Sequence, residues 1–197
     1  MGFLDETNSK HDMIIGLLGY IGSGKDTTAE IIKQMYPEQN FKHRKYSAKL
    51  KEICSILLNV PKERFEDIDY KKSFLPEYNM TVRGFMQNLG TDALRNHIHS
   101  DIWVKSLFYE YSKEKNAEEE YEYPNWIISD VRFPNEASKI KEMGGVLIKI
   151  LRKEIQYNHS SEISIDLINP DYIIYNRYGI GYLKDEVSSV LNQILKQ

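Results

Sequence analysis

The sequence predicts an α/β fold in which a parallel sheet is wrapped by helices on both faces. Apolar, strand-like runs alternate with segments of helical spacing along the chain, and this alternation is typical of parallel sheets. A glycine-rich turn joins the first run to the first helix. The first run, residues 13–18, is apolar on both faces, as expected for a strand buried within a sheet.

The other elements follow in order. Ala29, Ile31, Ile32 and Met35 lie on one side of the first predicted helix. Further strands are predicted within residues 41–47, 126–130, 146–151 and 172–175. Further helices are predicted at residues 48–58, 81–97 with a break at Gly90, 104–111, 134–143 and 183–194. The acidic segment 113–124 is predicted to be an exposed loop.

Composition predicts one globular domain over residues 13–197, preceded by a polar extension at residues 1–12. The chain is 41% hydrophobic with a net charge of −3, so it offers no basic field for a nucleic-acid polymer. It contains no apolar run near the roughly 18 residues of a membrane span, and residues 1–12 lack a signal-peptide core. The chain has a single cysteine, Cys54, which excludes an internal disulfide and fits the reducing cytoplasm. Cys54 is predicted to be a core residue.

The turn over residues 19–27 carries the phosphate-binding pattern G-x-x-x-x-G-K, with Asp26 where the pattern prefers Ser or Thr. Between a strand and a helix, the backbone N–H groups of Gly22, Ser23 and Gly24 would surround phosphate oxygens. Lys25 would reach the terminal phosphates. The sequence therefore predicts nucleotide binding.

Asp130 stands at the carboxyl end of a predicted strand, where α/β folds bind ligands. We interpret it as a second acidic group near magnesium, with Arg132 directed at the same phosphates. The alternative is that Asp130 caps the helix beginning at Pro134, and both roles are compatible. The basic run Lys42–Lys45 is predicted to be a solvated stretch.

The segment 81–95 contains Arg83, Gln87 and Arg95, which can contact phosphate or hydrogen-bond a base. Arg83 and Gln87 are four residues apart and would be neighbours on a helix. The residue spacing alone agrees equally well with a helix whose charged side chains face solvent and bind nothing.

Residues 152–170 form a long connection that is predicted to be a mobile lid, with Arg152 at its start. His159 within it is interpreted as a solvated side chain. The sequence has no His or Cys pair at metal-ligand spacing, so no protein-bound zinc is expected.

Taken together, these segments resemble bacteriophage-type deoxynucleoside monophosphate kinases. The resemblance rests on residues 22–27, Gly90-Thr91-Asp92 with Arg95, Trp103-Val104, the run Asp130–Ala137, Arg152, His159 with Ser161-Glu162, and Asn176. It implies a P-loop kinase fold, ATP as phosphoryl donor, magnesium, and a deoxynucleoside 5′-monophosphate as acceptor. The resemblance also explains Asp26, because that family commonly has an aspartate at this position.

The resemblance also implies roles for particular residues. Gly22, Ser23, Gly24, Lys25, Asp26 and Thr27 would hold ATP. Asp26, Thr27 and Asp130 would help hold magnesium, and Lys25, Asp130, Arg132 and Arg152 would serve catalysis. The acceptor would bind at Arg83, Gln87, Thr91, Asp92 and Arg95.

Two alternatives remain at this point. A kinase of another phosphorylated metabolite, such as phosphomevalonate, could use the same loop. A nucleotide-dependent switch or binding protein is the other alternative. A guanine switch, however, would need an Asn-Lys-x-Asp segment and an Asp-x-x-Gly motif, and neither stands in the expected place. A homodimer, and the host cytoplasm as the location of a phage-encoded chain, are left open.

Overall fold

The computed structural model describes residues 13–112, 114–115, 121–152 and 164–196. The predicted extension at residues 1–12, His159 and most of the predicted lid lie outside the described residues. The strands are β1 (Ile14–Leu18), β2 (Lys42–Arg44), β3 (Phe74–Leu75), β4 (Met80–Thr81), β5 (Glu114–Lys115), β6 (Tyr121–Glu122), β7 (Trp126–Val131), β8 (Val146–Leu151) and β9 (Tyr172–Tyr175).

Seven α-helices are described: α1 (Lys25–Met35), α2 (Ala48–Leu58), α3 (Ile68–Lys72), α4 (Val82–Gln87), α5 (Ile102–Phe108), α6 (Pro134–Glu142) and α7 (Ile180–Ile194). A π-helix covers Asn88–Ile98. Short 3₁₀ helices lie at Pro37–Gln39, Lys62–Glu66, Pro76–Tyr78 and Ser164–Leu167.

Five strands form one sheet in the order β2-β7-β1-β8-β9, and each neighbouring pair is parallel. The strand that precedes the glycine-rich turn, β1, is central, with β7 on one side and β8 on the other. Ile15 lies opposite Ile127 in β7 and Val146 in β8. The carboxyl ends of β1 and β7 therefore meet at one edge of the sheet, where the turn and Asp130 are found.

Each face of the sheet is covered by its own hydrophobic core, as the alternation of strands and helices predicted. On one face, α1 and α7 pack on side chains that include Ile15, Ile127 and Ile148. On the other face, α5 and α6 pack on side chains that include Ile14 and Trp126. The predicted α/β architecture, with helices on both faces of a parallel sheet, is confirmed.

A smaller core lies beneath α2 and α4, where Cys54, Phe65 and Val82 are buried together. Burial raises the pKa of the Cys54 thiol to about 11, so the thiol is neutral near pH 7. The prediction that Cys54 is a core residue is confirmed.

The predicted helix over residues 81–97 does not break at Gly90. Instead α4 runs directly into the π-helix, and Gly90 is buried within it. A Cβ at Gly90 would lie 2.6 Å from Leu50 Cδ2, and its carbonyl accepts a hydrogen bond from Trp103 Nε1 at 2.9 Å. Glycine is thus present for close packing, because a larger residue would meet α2.

Two other expectations differ from the structure. The strand expected within residues 41–47 is short, since β2 covers Lys42–Arg44. The acidic segment 113–124 contains the antiparallel pair β5 and β6, with Glu114 opposite Glu122. No described helix is long and apolar enough to cross a membrane.

Replacing Gly16 in the centre of β1 should destabilise the fold. A Cβ there would lie 2.7 Å from Ile140 Cδ1, 2.8 Å from Leu147 Cδ2 and 3.3 Å from Val131 Cγ2. We expect Gly16→Ala to lower the free energy of unfolding by about 1–3 kcal/mol, measured by urea denaturation, because the core would be overpacked.

The matched control is Gly181→Ala in α7, where an added Cβ meets nothing within 4 Å. It should leave stability unchanged or raise it by up to about 1 kcal/mol, because alanine favours helix. Equal effects of the two substitutions would contradict the packing described for Gly16.

Candidate active site

The turn between β1 and α1 is a loop shaped by its glycines. Gly19, Gly22 and Gly24 have φ of 148°, 75° and 102°, values that other residues rarely adopt. At Gly24 a Cβ would also lie 2.5 Å from Asn176 Nδ2. The Asn176 amide donates to the Ser23 carbonyl at 2.9 Å, so the segment after β9 supports the loop.

Two basic side chains that were predicted to act on the phosphates, Lys25 and Arg152, contact this loop. The Lys25 ammonium donates to the carbonyls of Gly19 at 2.6 Å and Tyr20 at 2.9 Å. From the end of β8, Arg152 Nη1 donates to the Gly22 carbonyl at 3.2 Å. Both cations therefore contact the loop that is predicted to bind phosphates.

The described end of the predicted lid is packed against the body of the protein. Ile165 and Ile168 are buried in the core beneath α6. Asp166 accepts hydrogen bonds from the Tyr20 hydroxyl at 2.5 Å and Lys149 at 2.9 Å, and these bonds lower the pKa of its carboxyl. The buried side chains of Ile165 and Ile168 thus fix this end of the segment to the core, while Leu167 is 71% exposed. The mobile lid stays a prediction. The residues 153–163 lie outside the described residues.

Asp26 joins the first turn of α1 to the ends of two strands. Its Oδ1 accepts from Ser129 Oγ at 2.6 Å, and its Oδ2 accepts from Lys45 Nζ at 3.1 Å. Burial favours the protonated form, but the Ser129 hydrogen bond and the Lys45 charge outweigh it and lower the pKa of Asp26. Asp26 is therefore ionised near pH 7, with a neighbouring cation. Thr27, the next residue of α1, is exposed.

The basic run Lys42–Lys45 is not a solvated stretch, so that prediction is wrong. His43 Nε2 lies 2.6 Å from Ser129 Oγ, and its Nδ1 lies 3.3 Å from Glu30 Oε1. Lys45 pairs with Asp26 and lies 3.6 Å from Glu66 Oε2. The carboxyl end of β2 places these side chains beside the loop, which spacing along the chain does not reveal.

Asp130, at the end of β7, organises the start of α2. Its Oδ1 accepts from the Tyr46 N–H at 2.8 Å, and its Oδ2 accepts from the Ser47 N–H at 3.0 Å. The alternative that Asp130 caps the helix at Pro134 is wrong. Glu136 serves that helix instead, because its Oε2 accepts from the Phe133 N–H at 3.1 Å.

Arg95 and Glu136 form a buried ion pair. Arg95 Nη2 lies 2.5 Å from Glu136 Oε1, with the two side chains 8% and 3% exposed. Glu136 Oε2 also accepts from the Arg132 N–H at 2.8 Å. Burial raises the pKa of the Glu136 carboxyl, and the Arg95 charge opposes this. Glu136, paired with Arg95, thus holds the segment after Asp130 through the Arg132 N–H.

The residues predicted to bind the acceptor lie in different surroundings. Arg83 and Gln87 are half-buried on α4. Thr91 is half-buried on the π-helix, and Asp92 is exposed beside a shallow surface depression lined by Asn88, Asp92, Ala93 and His97. Arg95, on the same helix, is buried against Glu136. Their acceptor roles remain predictions.

Comparisons with known proteins decide the family. The family model for deoxynucleotide monophosphate kinase matches residues 61–187, more than half of the chain. The putative deoxynucleotide monophosphate kinase of Acanthamoeba polyphaga mimivirus is 30% identical over 194 residues, covering 91% of this chain and 96% of that protein. This chain belongs to the deoxynucleotide monophosphate kinase family. The family resemblance and the kinase activity predicted from the motifs are confirmed.

Other similar proteins align with most of this chain. The deoxynucleoside-5′-monophosphate kinase of Escherichia phage T5 is 24% identical over 242 residues, with 89% of this chain and 94% of that protein aligned. Among solved structures, a shikimate kinase from Bacteroides thetaiotaomicron aligns with 94% of this chain and 99% of its own. Its TM-score is 0.48 and its identity is 13%.

The kinase's loop residues and Asp130 meet at the carboxyl edge of the sheet, as predicted. Sequence reasoning missed Ser129, His43 and Lys45, which surround Asp26. One signal was available: Lys45 directly follows a strand, and ligand-binding residues concentrate at strand carboxyl ends. Ser129, which is 1% exposed, is found only once Asp26 is placed beside β7.

Removal of the Arg95 charge should destabilise the kinase. We expect Arg95→Met to lower the free energy of unfolding by about 3–5 kcal/mol, because Glu136 would remain buried without its partner. The double variant Arg95→Met/Glu136→Gln should recover part of this loss. Denaturation with urea measures both. A change in acceptor KM with native stability would show instead that Arg95 serves the substrate.

Proposed function

We propose that this kinase transfers the γ-phosphoryl group of ATP to the 5′-phosphate of a deoxynucleoside monophosphate, releasing ADP and the diphosphate. One observation carries the proposal: the Lys25 ammonium lies on a glycine-shaped phosphate loop at the same sheet edge as Asp130. Membership of the deoxynucleotide monophosphate kinase family supports the choice of acceptor.

The donor phosphates would bind in the loop. The N–H groups of Gly22, Ser23 and Gly24 and the N-terminus of α1 favour negative charge there. Lys25 would exchange its carbonyl partners for phosphate oxygens. Arg152, already at the Gly22 carbonyl, and Arg132 would stabilise charge that develops on the transferred group.

Magnesium fits the oxygen donors at this edge. Mg²⁺ is commonly held by one or two carboxylates together with substrate phosphates and water, and Asp26, Thr27 and Asp130 supply such oxygens. No group of three or more His, Cys, Asp or Glu side chains among the described residues could hold a metal ion, so these residues would share the ion with the phosphates. When bound, Mg²⁺ would neutralise phosphate charge.

The acceptor needs positioning rather than a strong base. A phosphate monoester has a second pKa near 6, so its attacking oxygen is ionised near neutral pH. Phosphoryl transfer then depends on holding the two anions in line and screening their repulsion. Arg83 and Gln87 on α4 would contribute to holding the acceptor.

The proposal also covers the partners and the location of the kinase. With a net charge of −3, the kinase is suited to a small-molecule acceptor rather than a nucleic-acid polymer. We place it in the cytoplasm, which for a phage-encoded chain is that of the host. A homodimer is compatible with this proposal.

A substrate panel tests the acceptor. ADP release is measured in a coupled assay with dAMP, dGMP, dCMP and dTMP, each with ATP and Mg²⁺. We expect turnover with at least one of these deoxynucleotides, because the acceptor site would recognise the nucleotide. Phosphomevalonate and the matching ribonucleotides complete the panel. No turnover with any deoxynucleotide, or turnover with phosphomevalonate alone, would refute this acceptor.

Substitution of Lys25 tests the donor site. We expect Lys25→Ala to lower kcat by about 100- to 1000-fold, because a charge aimed at the transferred group is lost. Lys33→Ala is the control: Lys33 lies in the last turn of α1 and pairs with Glu30 at 3.6 Å on the surface. It should leave kcat unchanged. Native activity of Lys25→Ala would remove the central role of the loop.

A further inference from the structure

The Ser129 hydroxyl lies at the centre of a chain of polar contacts that ends beside the phosphate loop. Its Oγ is 2.6 Å from Asp26 Oδ1 in α1 and 2.6 Å from His43 Nε2 in β2. On the other side of the imidazole ring, His43 Nδ1 lies 3.3 Å from Glu30 Oε1, one turn along α1 from Asp26. Side chains from α1, β2 and β7 therefore meet at one hydroxyl group.

The hydrogen bonds of this hydroxyl have a defined direction. An ionised carboxylate can only accept hydrogen bonds, so Ser129 donates its one proton to Asp26 Oδ1. The short contact with His43 must then run the other way, with Nε2–H donating to Ser129 Oγ. His43 thereby keeps the hydroxyl proton directed at Asp26.

Two donors fix the orientation of the Asp26 carboxylate. Ser129 holds Oδ1, and Lys45 Nζ donates to Oδ2 at 3.1 Å. A carboxylate has about four lone-pair sites in all, and the Asp26 side chain is 63% exposed. The oriented carboxylate therefore keeps acceptor capacity for a further partner, such as a cation.

The donors behind Asp26 are shielded from water. Ser129 is 1% exposed, and the His43 side chain is 19% exposed, so solvent does not readily replace either donor. Mg²⁺ demands near-ideal octahedral geometry, and hydrogen bonds behind a metal ligand fix its orientation. A carboxylate that helps to hold Mg²⁺ would thus depend on this buried support.

We propose that Ser129 and His43 are positioning residues that orient the Asp26 carboxylate toward the magnesium ion of MgATP. Ser129 acts directly on Asp26, and His43 acts through Ser129. This inference rests on the proposed function, in which Asp26 shares the ion with the donor phosphates.

Ser129→Ala separates this role from a general effect on the loop. Calorimetry measures the Kd of the kinase for MgATP and, in EDTA, for metal-free ATP. We expect the Kd for MgATP to increase roughly 10-fold, because a hydrogen bond that orients a metal ligand is lost. The Kd for metal-free ATP should stay unchanged, because the loop keeps its phosphate donors. An equal loss for both forms of ATP, or no loss for either, would overturn the proposal.

The matched control is Ser55→Ala. The half-buried Ser55 hydroxyl on α2 donates to the Val60 carbonyl, also at 2.6 Å, so this variant loses one hydrogen bond of the same length away from the loop. It should lower the urea unfolding midpoint but leave both affinities for ATP unchanged. If Ser55→Ala weakened MgATP binding as much as Ser129→Ala, lost stability would explain the effect and the proposal would fail.

Two substitutions test His43. A glutamine amide can still donate to Ser129, whereas a phenylalanine ring cannot. We expect His43→Phe to weaken MgATP binding without affecting metal-free ATP, and His43→Gln to bind MgATP with close to native affinity. Equal losses in the two variants would overturn the role of His43.

Turnover of the native kinase with the deoxynucleotide panel is recorded in parallel. Native turnover together with unchanged MgATP affinity in Ser129→Ala would refute this inference and leave the proposed function intact. Absence of native turnover would instead refute the proposed function.

Discussion

The parallel pairing of β1 with β7, from Ile14 opposite Trp126 to Leu18 opposite Val131, brings the phosphate loop and the Ser129–Asp130 strand end to one edge of the sheet. The Asp26–Ser129 hydrogen bond joins α1 to β7 there, and β2 adds His43 and Lys45 from the far side of β7. A change in this register would separate the donor loop from the groups that surround it.

Three carboxylates near this edge are held by different kinds of partner. Asp26 depends on a hydroxyl and a lysine, Asp130 on two backbone N–H groups, and Glu136 on a buried arginine with further backbone donors. The Arg95–Glu136 pair matches the general rule that a buried charge must be compensated, whereas Asp26 is exposed. Asp130 and Glu136 accept hydrogen bonds from backbone N–H groups and so fix the turns after β2 and β7.

Sequence reasoning worked where the cause of structure is local. The strands β8 and β9 were predicted with their observed bounds, because apolar runs between turns have few other solutions. The loop was predicted because glycine conformation is a local property. Reasoning failed for the run Lys42–Lys45, whose charges suggested solvent exposure, because Lys45 contacts Asp26 and Glu66 across the fold. It also failed at Gly90, whose packing partner Leu50 comes from a distant segment.

The sequence by itself determined the chain order of the five strands in the parallel sheet, the phosphate loop and the kinase family, because residue spacing and local backbone chemistry specify them. Only the tertiary structure decided which charged side chains pair. Lys45 with Asp26, Lys51 with Glu66 and Arg95 with Glu136 are 19, 15 and 41 residues apart along the chain. Electrostatic interactions depend on distance and burial in three dimensions, and neither can be read from spacing.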